Sequence, residues 1–175
     1  MSMSDTCILQ VEDDANDVLL LQHAFERTGI TNPLRVATDG QMAIDYLAGN
    51  GPYGDRNRHP LPGLMLLDLK LPRRSGREVL QWIRERPAFQ AIVVIVFTSS
   101  SYVGDVGLAY ELGANSFIIK PADSFHYVEL ARLLKDYWLR RNQFAPLSQA
   151  GWAPHLLLGA QARRPFGRRQ PGPEA

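Results

Sequence analysis

Five short apolar runs, each followed by a segment with helical periodicity, constrain the fold of this chain more than any other feature. The runs are residues 7–11, 34–37, 64–67, 92–97 and 116–119. Their lack of strict apolar–polar alternation is typical of strands buried on both faces of a parallel sheet. Apolar residues recur at helical spacing in residues 15–28, 41–48, 76–85, 103–112 and 124–141. This alternation predicts an α/β fold, a doubly wound parallel sheet of five strands with helices on both faces and an extended last helix.

A single folded domain accounts for most of the 175 residues, because 45% apolar and 21% charged residues suffice for one hydrophobic core. We expect a polar lead over residues 1–6, the domain over residues 7–143 and a flexible tail over residues 144–175. The tail is rich in Pro and Gly, which disfavour regular structure. It also contains a candidate docking patch around Trp152.

The composition restricts the compartment and the class of partner. The single cysteine, Cys7, excludes an internal disulfide. No apolar run approaches the ~18 residues of a membrane span, and no signal sequence is present. The net charge is +1, and the excess of positive charge lies in the tail, which contains four arginines and one acid. The rest of the chain therefore lacks the basic footprint of a DNA-binding domain. We therefore expect a cytoplasmic protein without a membrane segment.

Polar side chains stand at the ends of four predicted strands. Glu12 and Asp13 follow the first strand, Asp68 the third, Thr98 the fourth and Lys120 the fifth. Because the carboxyl ends of parallel strands meet at one edge of a sheet, these groups are expected to converge. Clustered carboxylates repel one another unless they bind a hard cation such as Mg²⁺ or Mn²⁺. The set predicts a metal site beside an aspartate nucleophile for phosphoryl transfer, with a hydroxyl and an ammonium for the phosphoryl oxygens.

Two aspartates at or near these strand ends have plainer interpretations. Asp68, taken alone, could cap a turn before Pro72. Asp14 could serve as the N-cap of the helix over residues 15–28, and no other role is predicted for it.

The motifs at the strand ends resemble those of the receiver domain of two-component response regulators, over residues 7–141. The resemblance is carried by Val11-Glu12-Asp13, by Leu67-Asp68 with Pro72 and Gly76, by Thr98, and by Lys120-Pro121. It implies a flavodoxin-like (CheY-like) fold. It also implies a single-domain regulator that accepts a phosphoryl group from a sensor histidine kinase and acts through phosphorylation-dependent protein contacts, with no catalytic turnover beyond its own phosphorylation and dephosphorylation.

The resemblance implies a role for each matched acidic residue. Asp68 would be the phosphoacceptor. Asp13 and Asp68 would ligate Mg²⁺, Glu12 would do so directly or through water, and the main-chain carbonyl of Lys70 would add a further ligand. The Lys70 side chain would either tune dephosphorylation or be merely solvated.

Three further residues would read the phosphoryl group. Thr98 and Lys120 would bind its oxygens, and Thr98 would move inward with the aromatic residue Phe117 as a switch. Phe117 lacks the hydroxyl of the commoner tyrosine, so its movement would depend on packing alone. The bond between Lys120 and Pro121 would be cis.

A narrower resemblance points to stand-alone regulators that are paired with phytochrome histidine kinases in cyanobacteria and other bacteria. It rests on the long loop over residues 49–63, on Asp68-Leu69-Lys70-Leu71-Pro72, on Gly76-Arg77-Glu78-Val79-Leu80 and on Tyr137-Trp138-Leu139. It implies a protein without an output domain, whose phosphate is read by another protein. The breaker-rich loop itself is expected to be functional or simply mobile.

The predicted last helix has an apolar arc wider than one core-facing stripe requires. Its excess width predicts a protein partner, and homodimerisation is the first hypothesis. The candidate dimer residues are Leu130, Leu133, Tyr137 and Trp138. The alternative is that the C-terminal tail folds back over this surface.

Two other functions remain open at this point. The chain could pass its phosphoryl group to a histidine phosphotransfer protein as a relay intermediate. It could also be a phosphohydrolase of the haloacid dehalogenase type, which likewise uses an aspartate nucleophile after an apolar strand. That family needs a second aspartate two residues later, where this chain has Lys70.

Overall fold

The five predicted strands form one parallel sheet in the computed structural model, which describes residues 6–145. The sheet order is β2-β1-β3-β4-β5, and every neighbouring pair is parallel. The strands are β1 Ile8–Val11, β2 Leu34–Ala37, β3 Leu64–Leu67, β4 Val93–Thr98 and β5 Ser116–Ile119. The predicted α/β architecture is confirmed, and strand bounds differ from the sequence prediction by at most one residue.

Helices follow all five strands. They are α1 Ala15–Thr28, α2 Gly40–Ala48, α3 Gly76–Arg84, α4 Val103–Glu111 and α5 Ser124–Leu134. The last helix was expected to run to residue 141. It instead changes at Lys135 to a π-helical turn, Lys135–Leu139, so the α-helix ends at Leu134 and the helical structure ends two residues earlier than expected. Within residues 6–145, no helix combines the length and the apolar character needed to cross a bilayer.

The sheet has a hydrophobic layer on each face, because successive side chains of a strand point to opposite sides. In β3, Leu64 and Leu66 join the layer that contains α1 and α5, whereas Met65 and Leu67 join the layer that contains α2 and α3. All four are at most 1% exposed. Central strands buried on both faces hold the sheet rigid and set the positions of the residues at its carboxyl edge.

Side-chain caps begin four of the helices. Asp14 caps α1, since its carboxylate accepts a hydrogen bond from the Asn16 amide, as the sequence predicts. Asp39 and Asp123 cap α2 and α5 in the same way. Helix α3 begins with a reciprocal capping box between Ser75 and Glu78. These caps fix where each chain segment leaves the sheet edge.

Helix α4 is anchored differently. Its N-cap residue, Tyr102, makes no side-chain cap hydrogen bond, and Ala109 is its only buried residue. Two glycines, Gly104 and Gly107, lie inside it. Each glycine costs a helix interior about 1 kcal/mol relative to alanine. α4 is therefore held to the sheet more weakly than the capped helices.

The loop over residues 49–63 is held in place by Arg56. Its guanidinium donates to the carbonyls of Tyr46 at 2.8 Å and Leu47 at 2.6 Å, in the last turn of α2, and to the His59 carbonyl at 3.3 Å. The rings of Tyr46, Tyr53 and His59 pack together with centroids 5.2–5.8 Å apart. These contacts hold the loop against the last turn of α2.

One expectation about the chain after β5 is wrong, and others concern residues that the structure does not describe. The peptide bond before Pro121 is trans, because the described part of the chain has no cis peptide bond. Cis and trans X–Pro bonds differ by only about 0.5–1 kcal/mol, so sequence alone does not decide the isomer. Phe144 packs against the layer that contains α5. Phe144, the first residue of the predicted tail, is thus packed, whereas the rest of the tail beyond residue 145 and the patch around Trp152 lie outside the residues that the structure describes.

Candidate functional site

Three carboxylates meet where two neighbouring strands end. Glu12 and Asp13 follow β1, and Asp68 follows β3, which pairs directly with β1. One carboxylate oxygen of each lies within 4.8 Å of the other two. Glu12 and Asp68 are buried, whereas Asp13 is exposed. The structure therefore brings together the three acids that the sequence places at this edge of the sheet.

The two carboxylate oxygens of Asp68 have different partners. Oδ1 accepts a hydrogen bond from the Lys70 amide at 3.1 Å, and Oδ2 accepts one from the Lys120 ammonium at 2.7 Å. The first contact is the turn cap that the sequence allows as the plainer interpretation, so Asp68 caps the turn and also lies in the acidic cluster. The side chain of Lys70 is exposed.

The ammonium of Lys120 is surrounded by acids. It lies 2.5 Å from Glu12 Oε2, 2.7 Å from Asp17 Oδ2 and 2.7 Å from Asp68 Oδ2, with its side chain only 6% exposed. Burial alone would lower the pKa of Lys120, but its pairing with Asp17, Asp68 and Glu12 raises that pKa above its usual value. Lys120 is therefore a permanent cation in this site.

Glu12 is a buried acid with a perturbed pKa. Burial disfavours its charged form and raises its pKa to about 7, with Asp68 adding to the rise. The ion pair with Lys120 works in the opposite direction without cancelling the effect of burial. The amide of Asp14 donates to Glu12 Oε1 at 3.2 Å. Glu12 thus exchanges a proton near neutral pH when no cation is bound beside it.

Asp17 belongs to this site, although the sequence analysis does not predict it. It lies in the first turn of α1, where its Oδ2 accepts from Lys120 and its Oδ1 accepts from the Tyr127 hydroxyl at 3.2 Å. The feature of the sequence that could have identified Asp17 is its position one helical turn after Asp13, at the start of a helix that begins beside the site.

Thr98 ends β4 at the same edge and is fully buried. Its carbonyl accepts from the Lys120 amide at 2.9 Å, and its hydroxyl accepts from the Ser100 amide at 3.4 Å. Phe117 lies in β5 and packs, half-buried, against the small cluster of Leu69, Val96 and Ala109. Thr98 therefore lies at the carboxyl edge of the sheet, and Phe117 packs beside Ala109 of α4.

A polar clasp holds the loop between β4 and α4. The Ser100 hydroxyl donates to Asp105 Oδ2 at 2.5 Å, and the Arg77 guanidinium of α3 pairs with Asp105 Oδ1. Ser100 is two residues from Thr98, and Asp105 lies in the first turn of α4. A displacement of Thr98 would therefore act directly on the clasp.

The donor set fits a hard divalent cation. Such ions take carboxylate and carbonyl oxygens in proteins, and Mg²⁺ keeps several waters. Glu12, Asp13 and Asp68 supply three oxygen donors, and within residues 6–145 no histidine or cysteine joins this cluster. Glu12, Asp17 and Asp68 pair with the ammonium of Lys120, and Asp13 adds a fourth carboxylate beside Glu12 and Asp68. A bound cation would offset this excess of negative charge.

Comparison with known families identifies the same architecture. The model of the response regulator receiver domain matches residues 8–132. Among curated relatives, "Probable methanogenesis regulatory protein FilR2" of Methanothrix harundinacea is 38% identical over 136 residues, which cover 78% of this chain and 85% of that protein. Response regulator Rcp1 of Synechocystis is 35% identical over 132 residues, covering 75% of this chain and 88% of Rcp1.

Solved structures agree with these relatives. The Mn²⁺-bound form of Rcp1 superposes with a TM-score of 0.73 at 33% identity, covering 81% of this chain and 99% of that one. The phosphorylated cyanobacterial phytochrome response regulator RcpA superposes with a TM-score of 0.75 at 30% identity, with the same coverage. Both the broad and the narrower resemblance seen in the sequence are thereby confirmed, and the chain belongs to the receiver-domain family of two-component response regulators.

Proposed function

We propose that Asp68 is the phosphoacceptor of this response regulator. The observation that carries the proposal is the surroundings of its carboxylate, which lies in contact with Lys120 at 2.7 Å and within 4.8 Å of the oxygens of Glu12 and Asp13. A carboxylate held between a cation and an acidic metal-binding cluster can be neutralised on both sides, which an oxygen nucleophile needs when it attacks an anionic phosphoryl group.

The reaction is a transfer of the phosphoryl group from a phosphohistidine to Asp68. An oxygen of the carboxylate forms a bond to phosphorus as the bond from phosphorus to the imidazole nitrogen breaks, and the product is an acyl phosphate. Lys120 remains charged at neutral pH because of its acidic partners, so its ammonium is available to a phosphoryl oxygen. Thr98 contributes its buried hydroxyl to another oxygen.

Glu12, Asp13, Asp68 and the carbonyl of Lys70 would hold Mg²⁺ or Mn²⁺. When bound, the cation supplies positive charge that offsets the charge of the incoming phosphoryl group. Rcp1, a relative with the same fold, has been crystallised with Mn²⁺. Glu12 would have to be ionised to hold such an ion, so its raised pKa would make ion binding depend on pH.

The phosphoryl group signals through the surface beside β5. A contact with Thr98 draws this residue toward Asp68, Phe117 follows by packing, and the clasp of Ser100 with Asp105 transmits the change to α4. α4 is the weakly anchored helix, so it is the element that responds.

The phosphoryl donor is a sensor histidine kinase of the phytochrome type. Support comes from RcpA, which is named as a cyanobacterial phytochrome response regulator. We propose that the protein acts in the cytoplasm, which fits its single cysteine, Cys7. A downstream protein reads the phosphorylated state.

A homodimer forms through the last helix. Leu133 is 69% exposed and Tyr137 is 56% exposed on the outer side of this element, whereas Leu130 and Trp138 are half-buried against the core. Large apolar side chains that stay exposed on a well-packed helix favour a protein contact. Leu133 and Tyr137 are therefore the centre of the proposed dimer face.

Incubation with acetyl phosphate and Mg²⁺ tests the assignment of Asp68. We expect one acyl phosphate per chain, which Asp68→Asn abolishes and the surface control Asp136→Asn leaves intact. Multiple-turnover release of phosphate from small esters would instead indicate a phosphohydrolase, for which Lys70 stands where the acid/base residue is needed. Profiling against the histidine kinases of the source organism identifies the donor, and transfer to a histidine phosphotransfer protein would reveal a relay role.

A further inference from the structure

Both carboxylate oxygens of Asp17 are engaged. Oδ2 accepts from the Lys120 ammonium at 2.7 Å, and Oδ1 accepts from the Tyr127 hydroxyl at 3.2 Å. The side chain is 26% exposed, so water reaches it from one side only. An acid in the first turn of a helix is often just a favourable charge at the helix N-terminus. Asp17 differs because it links two other elements of the fold, β5 and α5.

The ring of Tyr127 is held in place by packing. It lies in α5, is 1% exposed, and its ring packs edge-on against Phe97 with centroids 5.9 Å apart. Phe97 directly precedes Thr98 in β4. The tyrosine hydroxyl therefore cannot leave Asp17 without a change of rotamer in a close-packed layer, which is costly. Tyr127 holds Asp17, and Asp17 in turn faces Lys120.

The three acids around Lys120 differ in what else they must bind. Glu12 and Asp68 belong to the cluster that suits a divalent cation, and Asp68 is also the proposed acceptor. Conversion of Asp68 to an acyl phosphate removes its carboxylate charge. Asp17 lies outside that cluster, so neither a cation nor a phosphoryl group competes for its contact with Lys120.

We infer that Asp17 is a positioning residue that holds the Lys120 ammonium at the acceptor throughout the phosphorylation cycle, with Tyr127 holding Asp17 from α5. The inference rests on the proposed role of Asp68. A lysine side chain has four rotatable bonds and loses much rotamer freedom when it is fixed. With Asp17 in place, one hydrogen bond of the ammonium persists while its bond to Asp68 is exchanged for one to a phosphoryl oxygen.

Asp17→Asn tests the inference with almost no change in side-chain size. At saturating acetyl phosphate and Mg²⁺, we expect the phosphorylation rate to fall by roughly tenfold, the effect of losing one hydrogen bond to a charged group. The concentration of Mg²⁺ alone that half-saturates the protein is expected to stay within about threefold, because Asp17 is not in the metal cluster. Tyr127→Phe is expected to lower the rate in the same direction by a smaller factor.

Asp14→Asn is the matched control, because it removes one negative charge at the same end of α1. Asparagine is as good an N-cap as aspartate, and the Asp14 side chain does not contact Lys120. We expect its phosphorylation rate to stay within about twofold of the wild type. An equal loss in Asp14→Asn and Asp17→Asn would overturn the inference, since the effect would then be one of net charge.

A second readout needs neither metal nor phosphoryl donor. In the metal-free protein, we expect the ammonium protons of Lys120, which is held by three acids, to exchange slowly enough with water to give a resolved NMR signal at its nitrogen. Asp17→Asn should broaden or remove this signal, and Asp14→Asn should preserve it. An unchanged signal and rate in both Asp17→Asn and Tyr127→Phe would sink the inference.

Two further outcomes separate the possible failures. If Asp17→Asn weakens Mg²⁺ binding more than tenfold and Asp14→Asn does not, Asp17 is a metal ligand and the positioning role is wrong. If the wild type takes up no phosphoryl group at Asp68, the proposed function fails, whereas the Lys120 signal still reports whether Asp17 holds the ammonium.

Discussion

Gly76 lies so close to Asp68 that a Cβ atom at position 76 would stand 2.0 Å from the Asp68 carbonyl oxygen. The first residue of α3 therefore has no room for any side chain beside the backbone of the proposed acceptor. The contact is with main-chain atoms, which cannot turn aside as a flexible side chain can.

Gly76→Ala should therefore displace the acceptor. We expect the free energy of unfolding to fall by about 1–3 kcal/mol, as is typical of overpacked sites, and the phosphorylation of Asp68 to slow. Urea denaturation and acetyl phosphate kinetics measure the two effects. Gly107→Ala is the control, because a Cβ there meets nothing within 4 Å and alanine stabilises a helix interior by up to about 1 kcal/mol. Equal stability changes in both variants would contradict the steric explanation.

Mg²⁺ affinity should depend on pH through Glu12. The pKa of Glu12 is raised to about 7 by burial, and a cation needs the ionised carboxylate. Affinity should therefore rise by up to about tenfold per pH unit below pH 7 and level off above it. Mg²⁺ titration between pH 5.5 and pH 8.5 (roughly the range where the carboxylate changes charge) measures this slope. Glu12→Gln should remove the part of the pH dependence of Mg²⁺ affinity that Glu12 causes. If the pH dependence is unaltered in that variant, another group is responsible for it.

The raised pKa of Glu12 also predicts how the stability of the metal-free protein depends on pH. The pKa of Glu12 is higher in the folded chain than its ordinary value of 4.5, so the folded state retains the proton over a wider range. Its contribution to stability is present below about pH 4.5 and is lost as the pH rises toward 7. Thermal unfolding in EDTA across this window, with Glu12→Gln as reference, checks the sign.

Arg56 should carry much of the order of the loop over residues 49–63. Arg56→Leu removes the guanidinium donor from the carbonyls of Tyr46 and Leu47, although the Tyr46 carbonyl keeps the Gly49 amide. We expect a loss of about 1–3 kcal/mol and faster amide exchange across the loop. Arg58→Leu is the control, since the Arg58 side chain is 82% exposed and has one surface ion pair, worth about 1 kcal/mol at most. Similar losses in both variants would show that the carbonyl contacts contribute little.

Leu133→Glu and Tyr137→Glu should each dissociate the proposed homodimer, because a charge at the centre of an apolar contact is desolvated without a partner. Size-exclusion chromatography with light scattering measures the mass, before and after treatment with acetyl phosphate. Leu19→Glu is the control, since Leu19 is also exposed, at 50%, but lies on α1. A wild-type mass of one chain in both states would rule out the dimer.

The sheet and its polar edge were predictable because their signals are local. An apolar run such as residues 64–67 can be stable only when both faces are covered, and parallel strands necessarily place Glu12 and Asp68 at a common edge. Aspartates before helices predict caps for the same reason. Each inference needs only the neighbours of a residue along the chain.

Asp17 could not be separated from an ordinary helix-start acid, because its role depends on Lys120, more than a hundred residues away. Arg56 escaped prediction for a related reason, since its acceptors are main-chain carbonyls, which every residue possesses. The change from α to π geometry at Lys135 likewise has no local breaker to mark it. The sequence pattern therefore does not predict long-range contacts that depend on single side chains.

The loose attachment of α4 has a consequence for how strongly this domain can respond. With Ala109 as its only buried side chain, two positions of the helix would differ by few contacts. A bias of about 1–3 kcal/mol, the usual size of a coupling free energy, is then enough to reverse which position dominates. If α4 is the responding element, as we propose, a variant with a well-capped and more deeply packed α4 should accept the same phosphoryl group and respond less, because more contacts would separate the two positions.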